Sequence, residues 1–151
     1  EYYHDKISKQ LPQLWGFQAA GAAPFVAGHP IEKPETIATA IRIGKPASWD
    51  LAVAARDDSG GLIDAVTDDQ ILAAYRVLAD KEGFFVEPSS AASVAGLIQQ
   101  AQRGLVDAGS TIVCTVTGNG LKDTQWALES AKDPVVVPVD VKAAASALGL
   151  A

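Results

Sequence analysis

Short apolar runs alternate with stretches of helical periodicity along this chain, and that alternation narrows the folds open to it. The runs cover residues 62–66, 84–86, 112–116 and 135–139, each of strand length and bounded by turn residues. Longer segments with helical spacing lie between them. Strand followed by helix, repeated, argues an α/β fold with a mostly parallel sheet flanked by helices. The 151 residues show no internal repeat, low-complexity stretch or domain boundary, so residues 1–151 read as a single α/β segment.

Local signals fix several elements. Residues 11–18 read as a loop followed by a short strand, and residues 62–66 as another short strand. Thr67-Asp68-Asp69-Gln70 is a capping box, in which Thr and Gln satisfy each other's backbone donors. Ile71, Leu72, Tyr75, Leu78 and Ala79 then recur on one helical face, and Gly83 supplies the stop. Pro88 suits the first turn of a helix running to Arg103-Gly104. Ser89 and Ser90 lie at its start, where hydroxyls and backbone donors favour either simple capping or an anion. Residues 49–56 form a predicted helix with Ser48 as N-cap. Residues 123–130 form another, and residues 141–148, capped by Asp140, a last. The small residues 19–27 predict a helix that packs closely on its neighbours.

Charge and composition exclude several functions. The net charge is -6 and no basic cluster occurs, which argues against nucleic acid, whose phosphates require Lys and Arg. No apolar run approaches the roughly 20 residues of a membrane span. Cys114 is the single cysteine, so no internal disulfide forms, and a reducing, cytoplasmic location is expected. Methionine is absent, and residues 1–10 read as the tail of a helix begun upstream. The expectation is one segment of a longer chain, with part of any active site contributed from elsewhere.

The candidate site is the end of the 112–116 run. In open α/β sheets, ligands collect beyond the carboxyl ends of strands. Thr117 would present its hydroxyl there, and Gly118 and Gly120 would permit close backbone approach. Other chemistries lack their residues. His4 and His29 have no serine elbow to serve, and one cysteine cannot build a zinc site. The Gly118-Asn119-Gly120-Leu121-Lys122 spacing is not that of a phosphate-binding P-loop. Asp57 and Asp58 lack metal-ligand spacing and read as a solvated turn. Arg42 either meets an anion or, as we expect, makes a surface ion pair. A hydroxyl beside a Gly-Asn-Gly turn suits a hydrogen bond to a ring atom of a cofactor, or is simply a turn.

Four blocks supply a resemblance. They are Gln18-Ala19-Ala20-Gly21-Ala22-Ala23-Pro24, the stretch from Pro34 through Ile41-Arg42-Ile43-Gly44, Glu87-Pro88-Ser89-Ser90-Ala91-Ala92, and Thr117-Gly118-Asn119-Gly120-Leu121-Lys122-Asp123. In this order they resemble the C-terminal part of threonine synthases, which are fold-type II (tryptophan synthase β-like) pyridoxal-phosphate enzymes. The resemblance implies a pyridoxal 5'-phosphate lyase that converts O-phospho-L-homoserine and water to L-threonine and phosphate. It also implies a homodimer. Thr117 matches the family threonine that hydrogen-bonds the pyridine nitrogen. The Schiff-base lysine, the loop for the cofactor phosphate and the asparagine at the ring hydroxyl belong to the family's upstream part. No catalytic residue is therefore assigned in this chain, no metal is expected, and Lys122 lies outside the family's lysine motif. The 36–44 stretch is expected to border the site without an assigned contact. Another fold-type II lyase, such as a threonine dehydratase, is the nearest alternative. A segment that is non-catalytic in isolation and only completes a sheet is the other.

Overall fold

The computed structural model describes residues 3–131 and 133–150. The sheet consists of two parallel strands, β1 (Trp15–Ala19) and β2 (Leu62–Val66), in register from Trp15 opposite Leu62 to Ala19 opposite Val66. Between them the chain forms the short helix α1 (Pro24–Ala27) and the helix α2 (Trp49–Asp58). The helices α3 (Asp68–Glu82) and α4 (Pro88–Gln102) follow, with α5 (Gln125–Ser130) and α6 (Val141–Ala147) near the end. Parallel pairing, joined through helices, is the α/β arrangement expected from the alternation.

The core lies where α3 and α4 meet each other and the sheet. Ile71, Ala74 and Tyr75 of α3 face Ala91 and Ala95 of α4, with Val66 at the end of β2. The small residues of α4 explain its approach: a Cβ on Gly96 would overlap the ring of Phe17 on β1. The capping box forms as predicted. Gln70 N–H donates to the Thr67 hydroxyl at 3.2 Å, and Thr67 N–H donates to Gln70 Oε1 at 2.8 Å. Gly83 ends α3 in the left-handed region at φ 72°.

The fold is fastened on the far side of α4 by Asp64. Its carboxylate accepts hydrogen bonds from Ala65 N–H, Gln99, Gln100 and Arg103, at 2.6–3.1 Å. Burial pushes the Asp64 carboxyl up, but these four donors outweigh it and hold the group down at about 2. Gln100 is buried yet satisfied, because Asp64 reaches it across the sheet edge.

Several expectations are corrected. Residues 112–116 form no strand, and neither do residues 135–139. The 84–86 run is reduced to one antiparallel bridge between Val86 and Asn119. A strand requires a ladder partner for its N–H and C=O groups, whatever its propensity. Among the described residues none pairs with these runs, and Val113, Val136 and Val139 stand exposed. The 19–27 stretch is not one helix: it finishes β1, makes a 3-10 turn over Ala20–Ala22 and ends in the four residues of α1. Ser48 makes no side-chain cap. The predicted helical tail at residues 1–10 is a series of turns from residue 3 onward, and Glu1 and Tyr2 lie outside the described residues. Asp140 does cap α6, accepting from Ala143 N–H at 2.9 Å. Among the described residues no helix is long and apolar enough to cross a membrane.

Candidate functional site

The Thr117 turn is held by the start of α4 instead of by a sheet. Gly118 N–H donates to the Ser90 hydroxyl at 2.6 Å, and Glu87 N–H donates to Gly118 C=O at 2.9 Å. Gly120 N–H donates to Phe85 C=O at 3.1 Å. One turn further along α4, the Ser93 hydroxyl donates to Thr115 C=O at 3.2 Å. Serines at the start of a helix thus replace the missing ladder. This is a definite outcome for Ser90: its hydroxyl serves a buried protein amide. Both glycines let neighbouring side chains approach closely. A Cβ on Gly118 would overlap the Glu87 carboxylate, and one on Gly120 would meet the Phe85 ring at 2.5 Å.

Thr117 itself is exposed, and its hydroxyl takes no hydrogen bond from the described residues. It is a free donor and acceptor on a backbone fixed on both sides. The next side of the site is a 3-10 turn, Thr39–Ile41. Ala40 N–H donates to the Ser89 hydroxyl at 3.0 Å, and the Thr39 hydroxyl donates to Asp123 at 3.2 Å. The approach to this turn is tied to α3. Asp68 accepts from the Thr36 hydroxyl at 2.5 Å and from Ile37 N–H at 3.2 Å. The Gln18 block joins through Gly21, whose C=O accepts from Glu35 N–H at 3.0 Å. A Cβ on Gly21 would overlap the Glu35 backbone oxygen. All four sequence blocks therefore meet in one region.

An open cleft of about 750 Å³ lies beside them, with Gly21, Thr36, Thr39, Arg42, Asp68 and Asp123 among its lining residues. Thr117 is not in that lining, so the cleft and the Thr117 hydroxyl are neighbouring features and not one pocket. Arg42 forms no ion pair among the described residues, contrary to the expected surface pairing; the pairs present are Arg56–Asp57 and Arg103–Asp64. Tyr75 lies within the field of Asp123: burial first, and then that carboxylate, push its phenol up. Burial also pushes the Cys114 thiol up, so this cysteine is a poor nucleophile. No cluster of metal-ligating side chains occurs among the described residues.

Sequence reasoning missed Glu87, Asp68 and Asp123. Glu87 carries the clearest signal in retrospect: an acid directly after an apolar run and directly before a helix-starting proline. The residue is 6% exposed, yet its carboxylate neither caps α4 nor enters an ion pair. It rests against Gly118, next in the chain to Thr117. A cofactor ring whose nitrogen lay at Thr117 would meet a free hydroxyl, which suits a pyridine nitrogen.

The model of the pyridoxal-phosphate dependent enzymes matches residues 1–118. A threonine synthase of Mycobacterium leprae is 55% identical over 150 residues, covering 99% of this chain and 42% of the relative. A threonine synthase of Halalkalibacterium halodurans is 56% identical over 142 residues, covering 93% of this chain and 40% of the relative. The chain thus spans about two fifths of the length of these curated relatives. An L-serine ammonia-lyase from Rhizomucor miehei shares the fold, with a TM-score of 0.57 and 23% identity over 78% of this chain and 39% of that one. With its α/β fold, its four converging blocks and a family match over most of its length, the chain belongs to the pyridoxal-phosphate dependent enzyme family.

Proposed function

We propose that this chain is part of a threonine synthase, a lyase that converts O-phospho-L-homoserine and water to L-threonine and phosphate with pyridoxal 5'-phosphate as cofactor. The observation that carries this reading is the identity of 55% with a threonine synthase across nearly the whole chain. Bound pyridoxal phosphate supplies an electron sink that acidifies carbons of an amino-acid substrate. Thr117 holds the pyridine nitrogen through its hydroxyl, and the Ser90–Gly118 bond keeps that hydroxyl in place. A neutral hydroxyl draws less charge from the ring than a carboxylate partner would, which suits elimination and replacement over transamination. Thr39 and Arg42 line the open cleft and border the cofactor or the substrate. The Schiff-base lysine belongs to the remainder of the enzyme, so this chain, as the C-terminal part, carries about half of the site. A homodimer in the cytoplasm completes the reading and rests on the family resemblance.

The test uses the full-length enzyme loaded with pyridoxal phosphate. Phosphate release from O-phospho-L-homoserine, with threonine as product, is the expected result. Formation of 2-oxobutanoate from threonine as the main activity would replace this reading with that of a threonine dehydratase.

A further inference from the structure

We propose that Arg42 is a specificity residue whose guanidinium takes the phosphate group of the substrate. The inference rests on the threonine synthase reading, which makes that substrate a phosphate ester.

Three observations carry it. First, among the described residues Arg42 is the one cationic side chain lining the cleft beside the four blocks. The carboxylates of Glu35, Asp68 and Asp123 line the same cleft, yet the guanidinium pairs with none of them. Second, both aspartates are already served by donors of the chain itself. Asp68 accepts from the Thr36 hydroxyl and Ile37 N–H, and Asp123 accepts from the Thr39 hydroxyl. Third, the Arg42 side chain is exposed while its backbone is fixed on both sides. Before it, Ala40 N–H donates to the Ser89 hydroxyl at 3.0 Å, and Arg42 N–H donates to Thr39 C=O at 3.3 Å. After it, Gly44 C=O accepts from Ile31 N–H at 2.9 Å, and a Cβ on Gly44 would overlap the Ile31 carbonyl oxygen. The guanidinium is thus anchored at its root and uncommitted at its tip.

A guanidinium offers a planar fork of N–H donors that meets a phosphate with two parallel bonds. A phosphate monoester carries about two negative charges at neutral pH, so at contact the fork gains more from it than from a singly charged α-carboxylate. The three acids repel an anion from the rest of the cleft. The charge pattern therefore admits the phosphate at the Arg42 end alone.

The experiment uses the full-length enzyme loaded with pyridoxal phosphate and compares wild type with Arg42→Gln and Arg42→Lys. In Arg42→Gln, kcat/KM for O-phospho-L-homoserine should fall about ten- to a hundredfold, the worth of a hydrogen-bonded charge. The inhibition constant of inorganic phosphate should rise by a similar factor. Binding of L-threonine, which has the carboxylate but no phosphate, should stay unchanged when followed by cofactor absorbance. Equal weakening of L-threonine and phosphate overturns the proposal, since the guanidinium would then hold the carboxylate or the fold. Unmoved constants in Arg42→Gln overturn it too, as does a wild-type enzyme that inorganic phosphate does not inhibit. Arg42→Lys keeps the charge without the fork and should recover part of the phosphate affinity; a lysine no better than glutamine counts against the assignment, and it decides the matter should Arg42→Gln fail to hold the cofactor. A wild-type enzyme that releases no phosphate from O-phospho-L-homoserine defeats the threonine synthase reading and this inference with it. An active enzyme with an unmoved variant defeats this inference alone.

Discussion

The amide of Gly118 donates a 2.6 Å hydrogen bond to the hydroxyl of Ser90, and this bond joins the Thr117 turn to the start of α4. The two residues are 28 positions apart in sequence and both are buried. Their contact makes one unit of two blocks that the sequence offers separately. It also explains why the Thr117 turn keeps its shape without a strand behind it.

Replacing Ser90 by Ala tests that role. The Gly118 amide would be left buried without an acceptor, at a cost of about 1–3 kcal/mol. Because the loss falls on the turn that carries Thr117, cofactor affinity in the full-length enzyme should drop on the order of tenfold or more. Titration with pyridoxal phosphate, followed by absorbance, measures it. Equal affinity in Ser90→Ala and wild type would mean that the turn is held without this bond.

Two glycines of the site should differ in their tolerance of a methyl group. At Gly21 the added Cβ meets the backbone oxygen of Glu35, which cannot turn aside. At Gly120 it meets the ring of Phe85, a side chain that is 40% exposed and can rotate outward. Gly21→Ala is expected to cost about 1–3 kcal/mol or more, as overpacking does, and Gly120→Ala less. Thermal unfolding of the two variants gives the order, and a larger loss in Gly120→Ala would contradict it.

The local grammar of the chain was legible, and the long-range pairing was not. The Thr67–Gln70 box, the Gly83 stop, the Pro88 start and the Asp140 cap all depend on residues close in sequence, and all form. The strands at 112–116 and 135–139 depend on partners elsewhere, which their apolar composition cannot name. Thr117 was legible as a hydroxyl beside two glycines, but its support by Ser90 was not, since nothing in sequence links residues 28 apart. Glu87 was hidden for a related reason. An acid before Pro reads as an exposed helix cap, and only the packing of Gly118 reveals it as buried.

Asp64 predicts a stability that fails in acid. Its carboxyl is held at about 2, against an ordinary value of 3.8. A lowered native value stabilises the fold above the unfolded value and loses that contribution as pH falls from about 4 through about 2. The side chain is 28% exposed, so the contribution is about 1–2 kcal/mol after allowing for solvent. Urea midpoints measured between neutral and strongly acidic pH should fall more in wild type than in Asp64→Asn, which has no proton to gain. Parallel curves for the two would remove Asp64 from the acid response.

Thr117 is the residue on which the cofactor reading turns, and two substitutions separate its hydroxyl from its shape. Thr117→Val is close in volume and removes the only polar atom of the side chain. The residue is exposed and its hydroxyl holds nothing among the described residues, so the fold should be unaffected, within about 0.5 kcal/mol for a surface change. The effect belongs to the bound cofactor. Losing a hydrogen bond to the ring nitrogen should shift the absorbance of the holoenzyme and lower turnover on O-phospho-L-homoserine by about ten- to a hundredfold, the worth of about 1.4–2.7 kcal/mol. Thr117→Ser restores the hydroxyl without the methyl group and should recover most of both. If valine leaves absorbance and turnover unchanged, the hydroxyl does not touch the ring. If serine fails as valine does while the fold holds, the hydroxyl serves the ring only when the methyl group fixes its rotamer.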